Sequence, residues 1–250
     1  MLFAGDPIII DLFTPGLTFT DIYYKLSTKP RSGAISIGIS EQQALRMESI
    51  YDHITKLKAG IVAFAVNHKN LNLRIMKDLA LVHDIAEFVV PDFTPNDRID
   101  KNTKHRMEKH VFRKLKKKFG KEGRYLYKLW LDYEYARTPE AKLVKDLDKA
   151  DAAIQALRYK KFTPKYYEFY GNAMAQIKSA EVQKILTYLY SEAYSRVASD
   201  QRISIGPYKM ALELYRNNGD VRMSLKNLIK DSNTLKEILS YHEKEYLELL

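Results

Sequence analysis

The chain contains no cysteine, which excludes disulfide bonds and thiolate metal ligands. Any bound metal must therefore use histidine, aspartate or glutamate side chains. No apolar run approaches the roughly 18 residues that a transmembrane helix needs. Residues 1–10 include Asp6 and Pro7 and lack the basic start and long apolar centre of a signal peptide. These absences predict an intracellular protein, which we expect to be cytoplasmic.

Segments that alternate apolar and polar residues, as half-buried strands do, are also very few, so the sequence predicts an all-α fold. With 250 residues and 46% hydrophobic content, the chain can bury one large core, or a core with an appended helical piece. The apolar periodicity and its breaks predict helices over residues 18–26, 41–67, 71–88, 102–119, 123–136 and 138–159, and two or three more within 196–250.

The formal net charge of +10 raises the question of a polyanionic partner. The densest basic run, residues 113–121, keeps Phe112, Leu115 and Phe119 at helical spacing. We therefore interpret its lysines as the solvated face of an amphipathic helix rather than as a nucleic-acid site. A basic surface would still help to attract phosphorylated substrates.

One stretch combines apolar periodicity with a cluster of ligand-type side chains. An apolar run with helical spacing ends at Val82 and leads directly into His83 and Asp84. Burying an unpaired carboxylate there would cost several kcal/mol, so a compensating charge is required. A divalent cation fits, because neutral imidazole and carboxylate are both natural ligands for it. Glu87 lies one helical turn beyond His83 and Asp92 follows, so two more acids face the same volume.

Two residues elsewhere in the chain are candidate partners for this pair. His53 lies three residues after Ile50 and four before Leu57, in a segment with helical apolar spacing, so it faces the core. Asp148 adjoins an apolar stripe that includes Leu147, so it points at least partly inward. Each residue alone is a weak signal, and their weight comes from occurring together with the His-Asp pair.

Three motifs carry a resemblance to a known family. They read Glu-Ser-Ile-Tyr-Asp-His at 48–53, Leu-Val-His-Asp-Ile-Ala-Glu at 81–87 and Ala-Lys-Leu-Val-Lys-Asp-Leu-Asp-Lys at 141–149. Their content and order resemble the 5′-deoxynucleotidase branch of the HD-domain metal-dependent phosphohydrolases, over about residues 26–189. The resemblance implies a homodimer and a divalent cation, either Mn, Co, Mg, Zn or Fe. It also implies four ligands for that cation: His53, His83, Asp84 and Asp148.

The resemblance also sets the predicted domain organisation. Residues 1–40 form an N-terminal lead-in and a loop on the substrate side. Residues 41–195 form the HD phosphohydrolase domain, an all-α helical bundle. Residues 196–250 lie beyond the match, and we expect them to form a C-terminal helical extension packed on the same domain.

The acids that follow the His-Asp pair have two candidate roles. Glu87, one turn from His83, can position a water molecule or act as a general base, with Asp92 as a second catalytic acid. By resemblance, the side chains of Glu87 and Asp92 and the carbonyl of Phe93 instead hold a second cation. In two-metal sites that cation lies about 3.5–4 Å from the first. Both roles are compatible with the sequence.

A loop before the first metal motif carries a candidate phosphate contact. Residues 29–33, Lys-Pro-Arg-Ser-Gly, resemble a Pro-Arg-Thr-Gly-Trp signature of the nucleotidase branch. Arg31 in this loop, and Arg46 beyond it, are candidates for binding the substrate phosphate through charge-assisted hydrogen bonds. Ala34 stands where the family has a tryptophan that orients the phosphate. This departure predicts either that another side chain supplies the contact or that the pocket is wider.

The expected function is metal-dependent hydrolysis of deoxynucleoside 5′-monophosphates to deoxynucleosides and phosphate. A cation at the four predicted ligands would lower the pKa of bound water from about 15.7 towards about 7 and polarise the P–O bond. Two alternatives stay open. One is another HD enzyme, such as a deoxynucleoside triphosphate hydrolase or a phosphodiesterase. The other is a non-catalytic module that binds nucleotides or nucleic acid.

Overall fold

The computed structural model describes residues 16–65, 68–94, 97–190, 216–218, 223 and 227. No strand occurs among these residues, and the only β-type pairing in them is an isolated antiparallel bridge between Pro30 and Ser49. The predicted all-α fold is therefore confirmed. None of the described helices is long and apolar enough to cross a membrane. The helices predicted within residues 196–250 fall almost entirely outside the described residues.

The described residues form ten α-helices and three short 3₁₀ turns. The helices are α1 (Phe19–Ser27), α2 (Ser32–Ser36), α3 (Glu41–Met47), α4 (Ile50–Ala65), α5 (Leu73–Val82), α6 (Lys101–Lys118), α7 (Gly120–Glu134), α8 (Pro139–Ala156), α9 (Tyr167–Gln176) and α10 (Ala180–Leu189). The 3₁₀ turns are Ile85–Phe88, Leu157–Tyr159 and Pro164–Tyr166. The helices predicted at 18–26, 102–119, 123–136 and 138–159 thus correspond to α1, α6, α7 and α8.

The chain divides into two compact units. The first contains the residues up to Ile54 together with Asp78–Thr138. In it α6 packs along α7, and both α1 and α6 contact the turn Ile85–Phe88. The lysines at the end of α6 are mostly exposed, while the apolar residues between them are buried, which is the predicted amphipathic pattern. Large side chains that are fully buried in this core include Ile22, Leu26, Phe88, Phe112 and Trp130.

The second unit contains Thr55–Lys77 and the residues from Pro139 onward. Its helices α9 and α10 pack on α8. It also holds a buried ion pair, in which the Nζ atom of Lys56 lies 3.2 Å from Oδ2 of Asp151. Lys56 donates a further hydrogen bond to Oε1 of Gln155 at 3.0 Å. This unit is therefore held by a charged contact as well as by apolar packing.

The helix predicted over residues 41–67 is broken at residues 48–49, where α3 ends and α4 begins. Glu48 has an extended backbone, with φ −165° and ψ 126°. Ser49 and Asp52 then form a reciprocal cap, because Oδ2 of Asp52 accepts the Ser49 N–H at 2.9 Å and Oγ of Ser49 accepts the Asp52 N–H at 3.1 Å. The Ser-x-x-Asp spacing is a helix-start signal, and the prediction overlooked it.

The helix predicted over residues 71–88 ends earlier, at Val82. His83 and Asp84 form a turn, and the chain continues as a 3₁₀ helix from Ile85 to Phe88. The backbone N–H of Glu87 donates to the Asp84 carbonyl at 2.9 Å, which is the i to i+3 pattern of that helix. The His-Asp pair therefore lies just past the end of a helix, and not within one.

The α6–α7 hairpin reverses at Gly120, whose φ of +51° favours glycine, and its helices approach closely at Gly123. A Cβ atom at Gly123 would overlap the backbone carbonyl of Leu115.

We expect Gly123→Ala to lower the free energy of unfolding by about 2 kcal/mol, because a packed backbone must shift. Gly171→Ala is the matched control, since Gly171 is exposed in α9 with nothing within 4 Å of a Cβ. It should raise that free energy by about 0.5–1 kcal/mol. Urea denaturation measures both, and equal shifts would contradict the close approach.

Candidate metal centre and its acidic surroundings

The loop that carries Lys29 and Arg31 is held against the start of α4. The Arg31 N–H donates to the carbonyl of Glu48 at 3.3 Å, and the Ile50 N–H donates to the carbonyl of Lys29 at 2.9 Å. These two bonds form the isolated bridge of the fold. They fix the loop beside the helix that carries His53.

His53, His83 and Asp84 lie together in the first unit. The Nε2 atoms of the two histidines are 3.2 Å apart. Oδ2 of Asp84 lies 3.1 Å from Nε2 of His83 and 3.6 Å from Nε2 of His53. Both histidines are buried, and the ring of Tyr133 packs on His83 with centroids 5.2 Å apart. Three of the four predicted metal ligands thus converge, with ligand atoms within 4.8 Å of one another.

The hydrogen-bond roles in this cluster suit a cation. Nδ1 of His83 is 2.8 Å from the carbonyl of Ala80, which can only accept, so Nδ1 carries a hydrogen atom. In the neutral imidazole, Nε2 is then an acceptor, and it faces a carboxylate oxygen of Asp84, which is also an acceptor. A divalent cation satisfies both groups, and a carbonyl behind the histidine is the usual orienting partner of a metal ligand. The residues present therefore fit the metal that the resemblance implies.

Arg31 lies among the acids of the site. Its Nη1 atom is 3.1 Å from Oδ2 of Asp84, 3.4 Å from Oε2 of Glu87 and 3.3 Å from Oδ2 of Asp92. Asp92 also accepts the backbone N–H of Ser32 at 3.0 Å. The structure therefore brings Arg31, Glu87 and Asp92 next to the His-Asp pair. A contact between Arg31 and a substrate phosphate stays a prediction.

The charges around Asp84 favour its ionised form. Burial would raise the pKa of its carboxyl group, but positive charge on its His83 side acts against burial, whether a proton on that imidazole or a bound cation supplies it. Together with Arg31 and His53, this charge holds the pKa well below its usual range. Asp84 is therefore an anion at any ordinary pH, as a metal ligand must be.

Glu87 has the opposite environment. Burial raises the pKa of its carboxyl group, and the negative charges of Asp84 and Asp92 raise it further, well above the usual range. The positive charges of Lys104 and Arg31 only partly oppose this shift. In its ionised form, a carboxylate with a raised pKa is a stronger base than an ordinary glutamate.

Two lysines that hold Glu87 were missed at the level of sequence. Nζ of Lys104 lies 3.4 Å from Oε1 of Glu87 and 3.5 Å from Oε1 of Glu108. Nζ of Lys29 donates to the backbone carbonyls of Glu87 and Phe88 at 2.7 and 3.1 Å. Lys29 could have been suspected, because it lies two residues before Arg31 in the signature loop. Lys104 belongs to a helix rich in lysine, and nothing in the spacing separates it from its solvated neighbours.

The other predicted residues are placed as follows. Asp148 belongs to the second unit, where it is buried on α8 with its Oδ2 atom 2.8 Å from Nζ of Lys149. Arg46 is exposed on α3 and pairs with no acid in the described part of the chain. Phe93 is half-buried.

Ala34 is only 1% exposed, so an indole in its place would have to displace buried neighbours. The position therefore does not form the wall of an open, widened pocket.

Comparisons with known proteins agree with this geometry. A model of the HD domain matches residues 25–189. The chain is 33% identical over 195 residues to 5′-deoxynucleotidase HDDC2 of Xenopus laevis, covering 75% of this chain and 92% of that protein. It is 34% identical over 148 residues to 5′-deoxynucleotidase hdd1 of Schizosaccharomyces pombe, covering 57% and 71%. The crystal structure of the PH0347 protein from Pyrococcus horikoshii OT3 superposes with a TM-score of 0.54 at 25% identity, over 72% of this chain and 96% of that one.

The chain belongs to the HD-domain family, since the family match covers well over half of its length. Within that family it is a 5′-deoxynucleotidase-like protein, because it is similar over most of its length to proteins of that name. The resemblance drawn from the three motifs is thereby confirmed, and the matched residues agree with the span of those motifs.

Proposed function

We propose that the chain is a metal-dependent 5′-deoxynucleotidase, which hydrolyses deoxynucleoside 5′-monophosphates to deoxynucleosides and phosphate. The observation that carries this proposal is the cluster of the buried His53 and His83 with the half-buried Asp84, with Glu87 beside it. The similarity to proteins named 5′-deoxynucleotidases supports the substrate class. No described feature favours the triphosphate hydrolase, the phosphodiesterase or the binding module over this activity.

In this proposal His53, His83 and Asp84 hold the divalent cation, and Asp148 is the fourth ligand that the motifs imply. When bound, the cation polarises the phosphate and makes water more acidic. Imidazole and carboxylate ligands suit Mn, Co, Zn and Fe, and carboxylates also suit Mg, so these residues alone do not select one of them. The second-cation role that the resemblance suggests for Glu87, Asp92 and Phe93 stays a prediction.

Glu87 takes the proton of the attacking water, for which its raised pKa suits it. The water oxygen forms a bond to phosphorus as the bond from phosphorus to the nucleoside O5′ breaks. The released O5′ accepts the proton that Glu87 took from the water and leaves as the alcohol of the deoxynucleoside. Asp92 holds the loop of residues 29–33 in place, because it pairs with Arg31 and accepts the N–H of Ser32. The other N–H groups of Arg31 orient the phosphate.

The test is a panel of nucleotides supplied to the metal-loaded protein with Mn²⁺ or Co²⁺. We expect inorganic phosphate to be released from deoxynucleoside 5′-monophosphates and the matching deoxynucleosides to appear by chromatography. A gel-shift assay with DNA and RNA runs beside it. Release of triphosphate from deoxynucleoside triphosphates would instead identify the alternative HD enzyme. Tight nucleic-acid binding without any hydrolysis would identify the binding module.

The homodimer and the cytoplasmic location stay predictions from the sequence. The homodimer rests on the family resemblance. Light scattering coupled to size-exclusion chromatography gives the oligomeric state directly.

A further inference from the structure

The α6–α7 hairpin carries most of the positive charge of the chain. Residues 109–128 contain nine lysines and arginines and one acid, Glu122, so this segment holds a net charge of +8 out of the total of +10. An ordinary solvated surface intersperses charges of both signs. The near absence of acids in this segment therefore needs another explanation.

Four of these residues form one stripe along α6. They follow the spacing i, i+4, i+7 and i+8, which places them on one face of the helix, and they are Lys109, Arg113, Lys116 and Lys117. All four are exposed or half-buried, and none pairs with an acid in the part of the chain that the structure describes. Like charges four residues apart repel each other and destabilise a helix. The helix dipole favours the lysines of the last turn, but Lys109 and Arg113 lie before that turn, so the stripe is not explained by the stability of α6.

The next helix extends this surface. Lys121 lies in the first turn of α7, where the positive end of the helix dipole disfavours a cation, and Arg124 follows three residues later. Both are exposed, and neither pairs with an acid among the described residues. Nζ of Lys116 lies 5.6 Å from the centre of the Tyr127 ring, and Tyr127 is one turn beyond Arg124 on α7. The cations of α6 and α7 therefore adjoin one another.

We propose that these cations form a second binding site, which takes the phosphate backbone of a nucleic acid without reading its sequence. We call this site the basic hairpin surface, and its residues are Lys109, Arg113, Lys116, Lys117, Lys121 and Arg124. The sequence alone favoured a solvated face for the lysines of α6, because it did not place the cations of α7 beside them. The inference goes beyond the proposed hydrolysis and does not depend on it.

Most of this surface is too far from the metal centre to serve a mononucleotide bound there. Lys104, near the start of α6, contacts Glu87, and Lys116 lies twelve residues further along the same helix. That spacing corresponds to about 18 Å along the helix axis. The Debye length at physiological ionic strength is about 8 Å, so these charges are largely screened from the pocket. Attraction of the substrate therefore does not account for them.

A nucleic acid suits this surface better than an anionic membrane does. The apolar side chains between the cations of α6 are buried, and they are Val111, Phe112 and Leu115. A helix that lies on a membrane inserts an exposed apolar face, and stable anchoring needs more than charge alone. A nucleic acid binds cations through the release of counterions from its phosphates, which requires no apolar face. Tyr125, next to Arg124, is 42% exposed, and such a ring can stack on a base.

The experiment measures the fluorescence anisotropy of a fluorescein-labelled single-stranded DNA of about 20 nucleotides, which is longer than a typical single-strand site on a protein. The metal-loaded protein is titrated at salt concentrations from about 50 to about 200 mM. If all six cations contact phosphates, the logarithm of the binding constant should fall with the logarithm of the salt concentration with a slope of about −4. The triple variant Arg113→Gln, Lys116→Gln and Lys117→Gln should bind at least about tenfold more weakly at the lowest salt, with a slope that is smaller by about 2.

A second triple variant is the matched control. It also removes one arginine and two lysines, all exposed in the second unit, through Lys69→Gln, Arg74→Gln and Lys142→Gln. It should bind the DNA within about twofold of the wild type, because it loses the same charge away from the hairpin. Both variants should hydrolyse a deoxynucleoside 5′-monophosphate at the wild-type rate, which shows that they are folded.

Three results would overturn the inference. They are no binding of the DNA at the lowest salt, equal losses of binding in the two triple variants, and binding of vesicles of phosphatidylserine and phosphatidylcholine without binding of DNA. Binding of the DNA by a wild type that hydrolyses no nucleotide would instead contradict the proposed function and leave this inference standing. The two failures are therefore distinguishable.

Discussion

Asp84→Asn is expected to remove the bound cation and to lower kcat/KM for a deoxynucleoside monophosphate by at least about 10³-fold. The amide has the shape of the carboxylate but not its charge. Asp84 is also the acid that meets both histidines and Arg31 through one oxygen atom, so the substitution weakens every contact at the centre. Metal content and phosphate release are measured on the same preparation.

Asp78→Asn is the control for this change. Asp78 lies on α5, the helix that leads into the His-Asp pair, and accepts a hydrogen bond from the Tyr125 hydroxyl at 2.7 Å at the surface. It should leave the metal content and the turnover close to those of the wild type. An Asp84→Asn protein that kept both metal and turnover would contradict the proposed mechanism.

Lys56→Met is expected to lower the free energy of unfolding by about 3 kcal/mol. Asp151 is fully buried, and this change removes the ammonium group that lies 3.2 Å from its carboxylate. Breaking one side of a buried ion pair costs more than replacing both sides, because the remaining charge keeps its desolvation penalty. Urea denaturation at neutral pH measures the loss.

A double-mutant cycle makes this test specific. Asp151→Asn in the Lys56→Met background should recover part of the loss, giving a coupling energy of about 1–3 kcal/mol between the two sites. Lys58→Met, on the same helix but only half-buried, should change stability by less than about 0.5 kcal/mol. Additive effects of the Lys56 and Asp151 substitutions would contradict a direct ion pair.

The residues that sequence reasoning located best are those whose position follows from helical spacing. His53 was expected to face the core, and it is buried beside His83. All-α architecture and the extents of α1, α6 and α7 followed from apolar periodicity, because each helix buries one face against a neighbour. Such patterns are local, so one sequence is enough to read them.

The features that the sequence did not predict are contacts between distant residues and breaks within helices. Lys29 lies in a loop 58 positions before Glu87, and Lys104 lies in a helix 17 positions after it. No local pattern in the sequence encodes their contacts with Glu87. The break before α4 was encoded locally, by Ser49 and Asp52, but the surrounding apolar spacing masked it. Arg31 was assigned to phosphate because the resemblance pointed there, and its pairing with three acids follows only from the folded chain.

Because a 3₁₀ turn follows Asp84, the site should tolerate substitutions in that turn better than insertions or deletions. Three residues complete one turn of such a helix, so Asp84 and Glu87 lie above one another on the same side. Each residue added or removed between them would rotate Glu87 by about 120° around the turn axis. Many substitutions at Ile85 and Ala86 would change packing and leave this alignment in place, whereas a single insertion or deletion would turn Glu87 away from Asp84. The length of that turn therefore matters more to the alignment of Asp84 and Glu87 than the identity of the two residues between them.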